Sequence, residues 1–463
     1  MISDSFTRNT LLLTAASLLM QGVGMVFQLW LAGRIGAAGI GLYQLTLSLC
    51  GLCATLAISG IRFAATRLIS EELGAGTDRV RGAMGRCLVY GAFFGLLSGA
   101  LLYLLAEPLG FLWIGDARTV LSLRIASFSM PCIALCAALS GYFTACGRVW
   151  KAALVHLLEQ LCGIALVAIM LGEHAVSDLE RSCAAVTAGR TAADLASLLL
   201  MAGFYLQDRC RYESAAASGA GLGGRMLRIS LPLAVSAYTR SALSTLQHLW
   251  IPRGLRAAGF SADRALAGYG VLQGMAMPVV FFPSCLLGAA AELIVPELTS
   301  AQMRRSGAEI RDTAGRLLRF SLRWSLAVSA FLFVCADMLG GVLFHSREAA
   351  RAIRLLAPLV PVMYTDMAVD GCLKGLGQQV WSMGVNIAES ALGLLLIRLL
   401  LPRYALAAYV GILYFSEIFN LSFSVIRLLP FLRGAPDGAR PPCEGSARSA
   451  CTAGRSAERP QRP

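Results

Sequence analysis

Charge is scarce in this sequence. Asp, Glu, Lys and Arg make up 14% of its 463 residues, where a soluble globular chain carries about 25%. So little charge cannot clothe a water-exposed surface of this size, which excludes an ordinary soluble domain. Histidine is scarcer still: His156, His174, His248 and His345 are four scattered residues without metal-ligand spacing. No GxxxxGK[ST] loop exists to cradle a nucleotide. Hydrolysis of ATP by this chain, a bound metal and a cofactor are therefore not expected, and no catalytic constellation marks an enzyme. The formal charge of +13 does not point to nucleic acid, because the arginines fall in short stretches between apolar runs and in the C-terminal tail. Loops of membrane proteins on the cytoplasmic side show this bias.

Apolar residues fill the space that charge leaves, at 57%. They fall in runs near 10–33, 40–60, 84–110, 120–145, 151–172 and 183–206. A second set lies near 228–251, 265–290, 316–344, 352–376, 381–401 and 405–430. About 20 apolar residues cross roughly 30 Å of hydrocarbon, so the pattern predicts an all-α integral membrane protein of twelve spans. A break in the long run at 265–290 would change that count. The first run is too long for a signal peptide and leads straight into further spans. The fourteen cysteines are scattered, mostly within the spans. Cys50 and Cys53 form a CxxC without a partner pair, and small packing residues are the simplest reading. With the N-terminus in the cytoplasm, inner loops hold Arg79, Arg81, Arg86, Arg304, Arg305, Arg311 and others. The outer loops hold fewer arginines. The expected location is the cytoplasmic membrane, with both termini inside.

Sliding the chain by 230 residues superposes 124–166 on 354–396. Arg124 falls on Arg354, Pro131 on Pro361, Gly141 on Gly371, Gly147 on Gly377, Glu159 on Glu389 and Gly163 on Gly393. Shared Leu or Ala would mean little here; shared Arg, Pro, Glu and Gly mean more. Six spans separate the copies, so both point the same way, the parallel-repeat design of many transporters. The expected layout is two pseudo-symmetric six-helix lobes, 1–206 and 227–431. A polar linker at 207–226 joins them, and a disordered basic tail at 432–463 follows.

Charge inside hydrocarbon is costly and marks candidate function. Glu159, Asp366, Asp370, Glu389 and Glu417 lie within spans and are candidates for ion coupling or cavity polarity; H+ or Na+ is the ion they would take. Two roles fit Glu159 and Glu389, a hydrogen bond that locks packing or a place on the cavity wall. Asp366, Asp370 and Lys374 share one helix face, and Asp370–Lys374 reads as an ion pair. Arg190 and Asp194, four apart, read as another. Arg62, Arg67, Arg240 and Arg253 are candidates for an anionic headgroup, since arginine engages phosphate through two donors at once. Snorkelling at the interface is the plainer reading for all but Arg240, which sits mid-span. Pro131, Pro278, Pro283 and Pro361 are candidate kinks.

Four stretches carry a resemblance: RNTLLLTAASLLMQGVGMVFQLWLAGRIGAAGIGLYQL, ISGIRFAATRLISEELG, GYFTACGRVWKAALVHLLEQ at 141–160 and MPVVFFPSCLLGAAAELIVPELTSAQ at 277–302. In order and spacing they resemble the stage V sporulation protein B family, part of a flippase superfamily that includes MATE exporters, Wzx-type flippases and MurJ-type lipid II flippases. The resemblance implies a MATE/MurJ-like pair of lobes around a central cavity, working by alternating access. It implies an undecaprenyl-pyrophosphate saccharide or peptidoglycan precursor as substrate, with membrane lipid around it. Gln28 stands where MurJ relatives place a cavity arginine, a departure that separates this chain from direct lipid II assignment. A cation-coupled exporter of small amphipathic cations is the second reading, and a non-transporting envelope scaffold acting through the basic tail is the third.

Overall fold

A computed structural model describes residues 2–74, 80–172, 178–209, 222–304 and 306–433. All regular structure in those residues is helical. The expected linker lies outside them from 210 to 221, and the tail from 434 onward. Helix α1, Ile2–Ile58, is broken at Gly36 (φ 69°). Straight, its 57 residues would reach about 85 Å at 1.5 Å per residue, far beyond one bilayer core. Ser59 and Gly60, both at positive φ, end it and start α2, Ile61–Gly74. Then come α3, Val80–Leu104, the single turn α4, Ala106–Pro108, and a wide π-turn at Leu109–Ile114. Helices α5, Val120–Ser127, and α6, Ser129–Ala145, are bent by 42° at Phe128. Pro131 lies just past that bend and cannot donate to the Ser127 carbonyl, which accounts for the kink. Helices α7, Val149–Met170, and α8, Leu179–Arg209, complete the first half.

The second half opens with α9, Leu222–Ala257, and α10, Ala262–Tyr269. A π-turn at Gly270–Ala276, α11 (Met277–Phe281), a 3-10 turn at Phe282–Ser284 and α12 (Cys285–Met303) follow. The run expected at 265–290 is thus broken, with Pro278 and Pro283 each near the start of a short segment. Next are α13, Gly307–Phe344, α14, Arg347–Leu356, and α15, Val360–Gly375, with Pro361 in its first turn. Last is α16, Gln379–Arg433, broken at Ala405 (φ 50°).

Among the described residues, eight helices are long and apolar enough to cross a membrane, or nine if the bent α5–α6 pair counts as one. Ile169 and Val334, 75% and 76% exposed, point outward, and glycines such as Gly41 and Gly270 let helix backbones approach closely inside. Large apolar side chains on the outer surface together with close backbone approach suit a chain solvated by lipid.

The sequence repeat recurs as contacts. Arg124 Nη2 pairs with Glu107 Oε1 at 2.6 Å and lies 5.7 Å from the Tyr103 ring. Arg354 Nη2 pairs with Asp337 Oδ2 at 2.6 Å and lies 6.0 Å from the Phe333 ring. Every member is 230 residues from its counterpart. Gly147 and Gly377 share a left-handed backbone (φ 70° and 68°), and the next N–H in each bonds back to a helix carbonyl at 2.8 Å, the C-terminal turn that favours glycine.

The halves meet along α1 and α9. Tyr238 OH donates to Ser59 Oγ at 2.6 Å, and Thr245 Oγ1 to the Ser48 carbonyl at 3.1 Å. Near the Gly36 break the contact is closer still. A Cβ added at Gly41 would lie 2.1 Å from the Leu266 carbonyl, and one at Gly270 2.1 Å from that of Ala37.

Candidate functional site

Polar side chains within the helices gather at two centres. The first is a cavity of about 330 Å³ bounded by α1, α7 and α8, with Gln28, Tyr43, His156, Glu159, Arg190 and Asp194 on its wall. A smaller space of about 160 Å³ adjoins it, sharing His156, Glu159 and Asp194 and adding Arg62 and Ser197. Glu159 Oε2 accepts from Ser197 Oγ at 2.8 Å and lies 3.3 Å from His156 Nδ1. Asp194 accepts from Ser129. Arg190, expected to pair simply with Asp194, lies beside Tyr43, Asp194 and Glu159 together and is open to the cavity. The wall therefore carries two guanidinium groups and two carboxylates, more than packing between apolar helices needs. Gln160 Nε2 donates to the Met20 carbonyl at 2.7 Å, and Gln28 Nε2 to that of Gly274 at 3.2 Å. The second bond joins the cavity wall to the π-turn of the other half.

Two cavity residues, Phe27 and Ile164, also line a groove of about 690 Å³ between the first leg of α1 and α7. Leu19, Val23, Val26 and Leu161 are among its other residues, and among the described residues no charged side chain lines it. A charged chamber and an apolar slot thus lie on either side of Phe27 and Ile164.

The second centre lies on α15 and α16. Asn420 Nδ2 donates to Asp366 Oδ2 at 3.0 Å and to Asn386 Oδ1 at 3.2 Å. Asp366 is only 9% exposed, and its Oδ1 is buried without a protein partner. Glu389 accepts from Ser416, and Glu417 lies within electrostatic reach of Asp366 and Glu389. Asp370 accepts from Ser382 and pairs with Lys374 Nζ at 2.9 Å, as its spacing predicts. Gln247 Nε2 donates to the Ser390 carbonyl at 2.8 Å, tying α9 to this centre.

Of the four arginines singled out in the sequence, Arg62 alone lines the described first-half cavities. Arg67 makes an exposed ion pair with Glu71 at 3.0 Å. Arg240 is exposed on α9, and Arg253 sits near the end of that helix beside Arg256. Arg190 is a cavity-lining cation that the spacing hid, because an acid four residues on disguised it as self-neutralised.

Compared with known families, residues 6–302 match the profile described as "Polysaccharide biosynthesis protein". The chain belongs to that family. Residues 255–398 also match the MatE profile, which sets the family within the flippase superfamily of MATE and MurJ. The chain is 24% identical to "Stage V sporulation protein B" of Bacillus subtilis (strain 168), over 81% of this chain and 74% of that one. Its fold is that of the solved "Lipid II flippase MurJ, inward closed conformation" (TM-score 0.69, 12% identity, 92% and 90% of the two chains). An inward-facing multidrug resistance MATE family transporter gives a TM-score of 0.67 at 15% identity, over 90% and 96%. Family members with this fold are multi-pass membrane transporters or flippases.

Proposed function

We propose that the protein is a flippase that carries a lipid-linked, pyrophosphate-bearing saccharide across the cytoplasmic membrane. The single observation behind this reading is the charged chamber that shares Phe27 and Ile164 with an adjoining apolar slot. Such a pair fits an amphiphile, with its head in the chamber and its chain in the slot. The mixed charge of the chamber narrows the head. Arg190 and Arg62 are forked donors for phosphate, and Glu159 and Asp194 are acceptors for sugar hydroxyls. Asp366, with a buried unpartnered oxygen beside Asn386 and Asn420, is the group proposed to take the coupling proton or monovalent cation, with Glu389 and Glu417 around it. Proposed with this are twelve crossings, two at α1 and two at α16, in lobes 1–206 and 227–431 with both termini cytoplasmic.

The test is reconstitution in liposomes with a fluorescent polyprenyl-pyrophosphate saccharide, read by leaflet accessibility. Protein-dependent movement that weakens in Arg190→Gln is the expected outcome. No movement, with or without a proton or sodium gradient, would sink the reading. It would favour the second one, export of amphipathic cations, for which the carboxylates of both centres speak. Drug accumulation in a sensitive host separates the two.

A further inference from the structure

In the region where Gly41 packs against α10, two polar contacts join the halves, and neither belongs to the centres above. Arg256 Nη1, from the last turn of α9, donates to the Gly115 carbonyl at 2.8 Å. Arg118 Nη2 donates to Asp116 Oδ2 at 2.7 Å within its own loop and to Asp263 Oδ1 at 2.8 Å across the interface. The first-half side of this contact is rigid. The N–H groups of Gly115 and Asp116 both bond to the Gly110 carbonyl, and Asp116 caps the following turn through the Arg118 N–H at 3.0 Å.

The two contacts differ in what they leave unsatisfied. Arg118 spends its charge on two carboxylates. Arg256 holds only a neutral carbonyl, and its Nε and Nη2 are buried without a partner. No carboxylate lies within ion-pair distance of Arg256 among the described residues, and the neighbouring cation is Arg253, one turn earlier. A half-buried guanidinium with two buried, idle donors beside a second arginine is a site short of an anion.

We propose that Arg256 is a latch released by an anion. With the site empty, the guanidinium holds Gly115 and keeps a mouth between the halves shut at this point. A phosphate-bearing group reaching the interface takes Nε and Nη2 as a forked pair and draws the guanidinium off the carbonyl. That leaves the exposed Arg118–Asp263 pair, a weak link by itself, and the mouth opens. The trigger rests on the anionic-head reading above; the latch does not.

The test uses the full chain in lipid nanodiscs. Spin labels are attached through an azide-bearing amino acid at Ala117 and Ala262, exposed positions on either side of the contact, because fourteen native cysteines rule out thiol labelling. Pulsed EPR reads the distance, and inorganic pyrophosphate is the probe. In the wild type pyrophosphate should raise the long-distance fraction at least threefold. Arg256→Gln should show that fraction without pyrophosphate and ignore its addition. Gly115→Ala should do the same, since its Cβ would lie 2.9 Å from Arg256 Nη1 at a backbone φ of +75°. Arg256→Lys keeps the charge and loses the fork, so it should stay shut and no longer respond. Arg264→Gln, an exposed neighbour, should match the wild type. Wild-type distances in Arg256→Gln would overturn the latch. An open Arg256→Gln beside a wild type indifferent to pyrophosphate would overturn the anion trigger. A pyrophosphate response in a protein that flips no lipid-linked saccharide would keep the latch and discard the proposed cargo.

Discussion

At the scale of single residues, the chamber and the surface make opposite predictions for arginine. Arg190 faces Tyr43 and two carboxylates in a water-reachable cavity inside the helices. A charge-assisted contact to a phosphate there is worth about 1.5–3 kcal/mol, so Arg190→Gln should slow saccharide flipping roughly 10- to 100-fold at equal protein density. Arg67, paired with Glu71 and 67% exposed, sits in a setting worth roughly 0–1 kcal/mol; Arg67→Gln should flip within about twofold of wild type. Equal losses in both would mean that overall positive charge, not the chamber, handles the substrate. The repeat exposed part of this in the sequence. Glu159 and Glu389 stood out by their offset, and each accepts a serine hydroxyl, Glu159 from α8 and Glu389 from the part of α16 beyond its break. Position 190 plus the same offset is Asn420, the residue that holds Asp366. Polarity at both members was therefore legible, whereas the direction each side chain takes depends on neighbours that no spacing encodes. Asp366→Asn keeps size and most hydrogen bonding but cannot take up a proton or balance a cation. It should leave basal flipping within about threefold and abolish acceleration by an imposed gradient. A full gradient response in that variant would move coupling elsewhere, first to Glu389 or Glu417.

At the scale of elements, apolar runs located the helices well and their breaks unevenly. The Ser59–Gly60 stop was visible because a glycine met the first arginine after an apolar run, and the broken run at 265–290 because two prolines flank its aromatics. Gly36 falls in the gap between the runs at 10–33 and 40–60, so the place of the break was legible, although nothing in that stretch of small residues singles out the residue that turns. The Ala405 break carried no glycine at all: Pro402 precedes it, but the residue that turns is an alanine at φ 50°, ψ −133°. An L-residue there is strained by about 1–3 kcal/mol. Ala405→Gly should relieve part of that strain, raising the midpoint of thermal unfolding in detergent by a few degrees and leaving flipping unchanged. A lower midpoint would show that the chain gains more from the stiffness of alanine in the unfolded state than it loses to strain in the turn.

At the scale of the whole molecule, the halves are joined in two ways with different physical character. Along α1 and α9 the joints are hydroxyl hydrogen bonds, such as Tyr238–Ser59 and Thr245–Ser48, which can re-form with other partners or water at modest cost. Near the Gly36 break the joint is backbone on backbone, possible only because glycines remove the side chains. Neither was legible in the sequence, since the glycines at 41 and 270 belong to different halves and show no shared pattern. A seam of this kind has one tolerance, distance. Gly270→Ala would set a Cβ 2.1 Å from the Ala37 carbonyl, closer than any Cβ contact allows, so the helices must part there. If the seam is a moving contact, the variant should remain monodisperse in detergent, show the long Ala117–Ala262 distance with or without pyrophosphate, and fail to complete a transport cycle. If the variant instead aggregates, the seam belongs to the folding core, and the motion that carries substrate must take place along the hydroxyl-lined contact between α1 and α9.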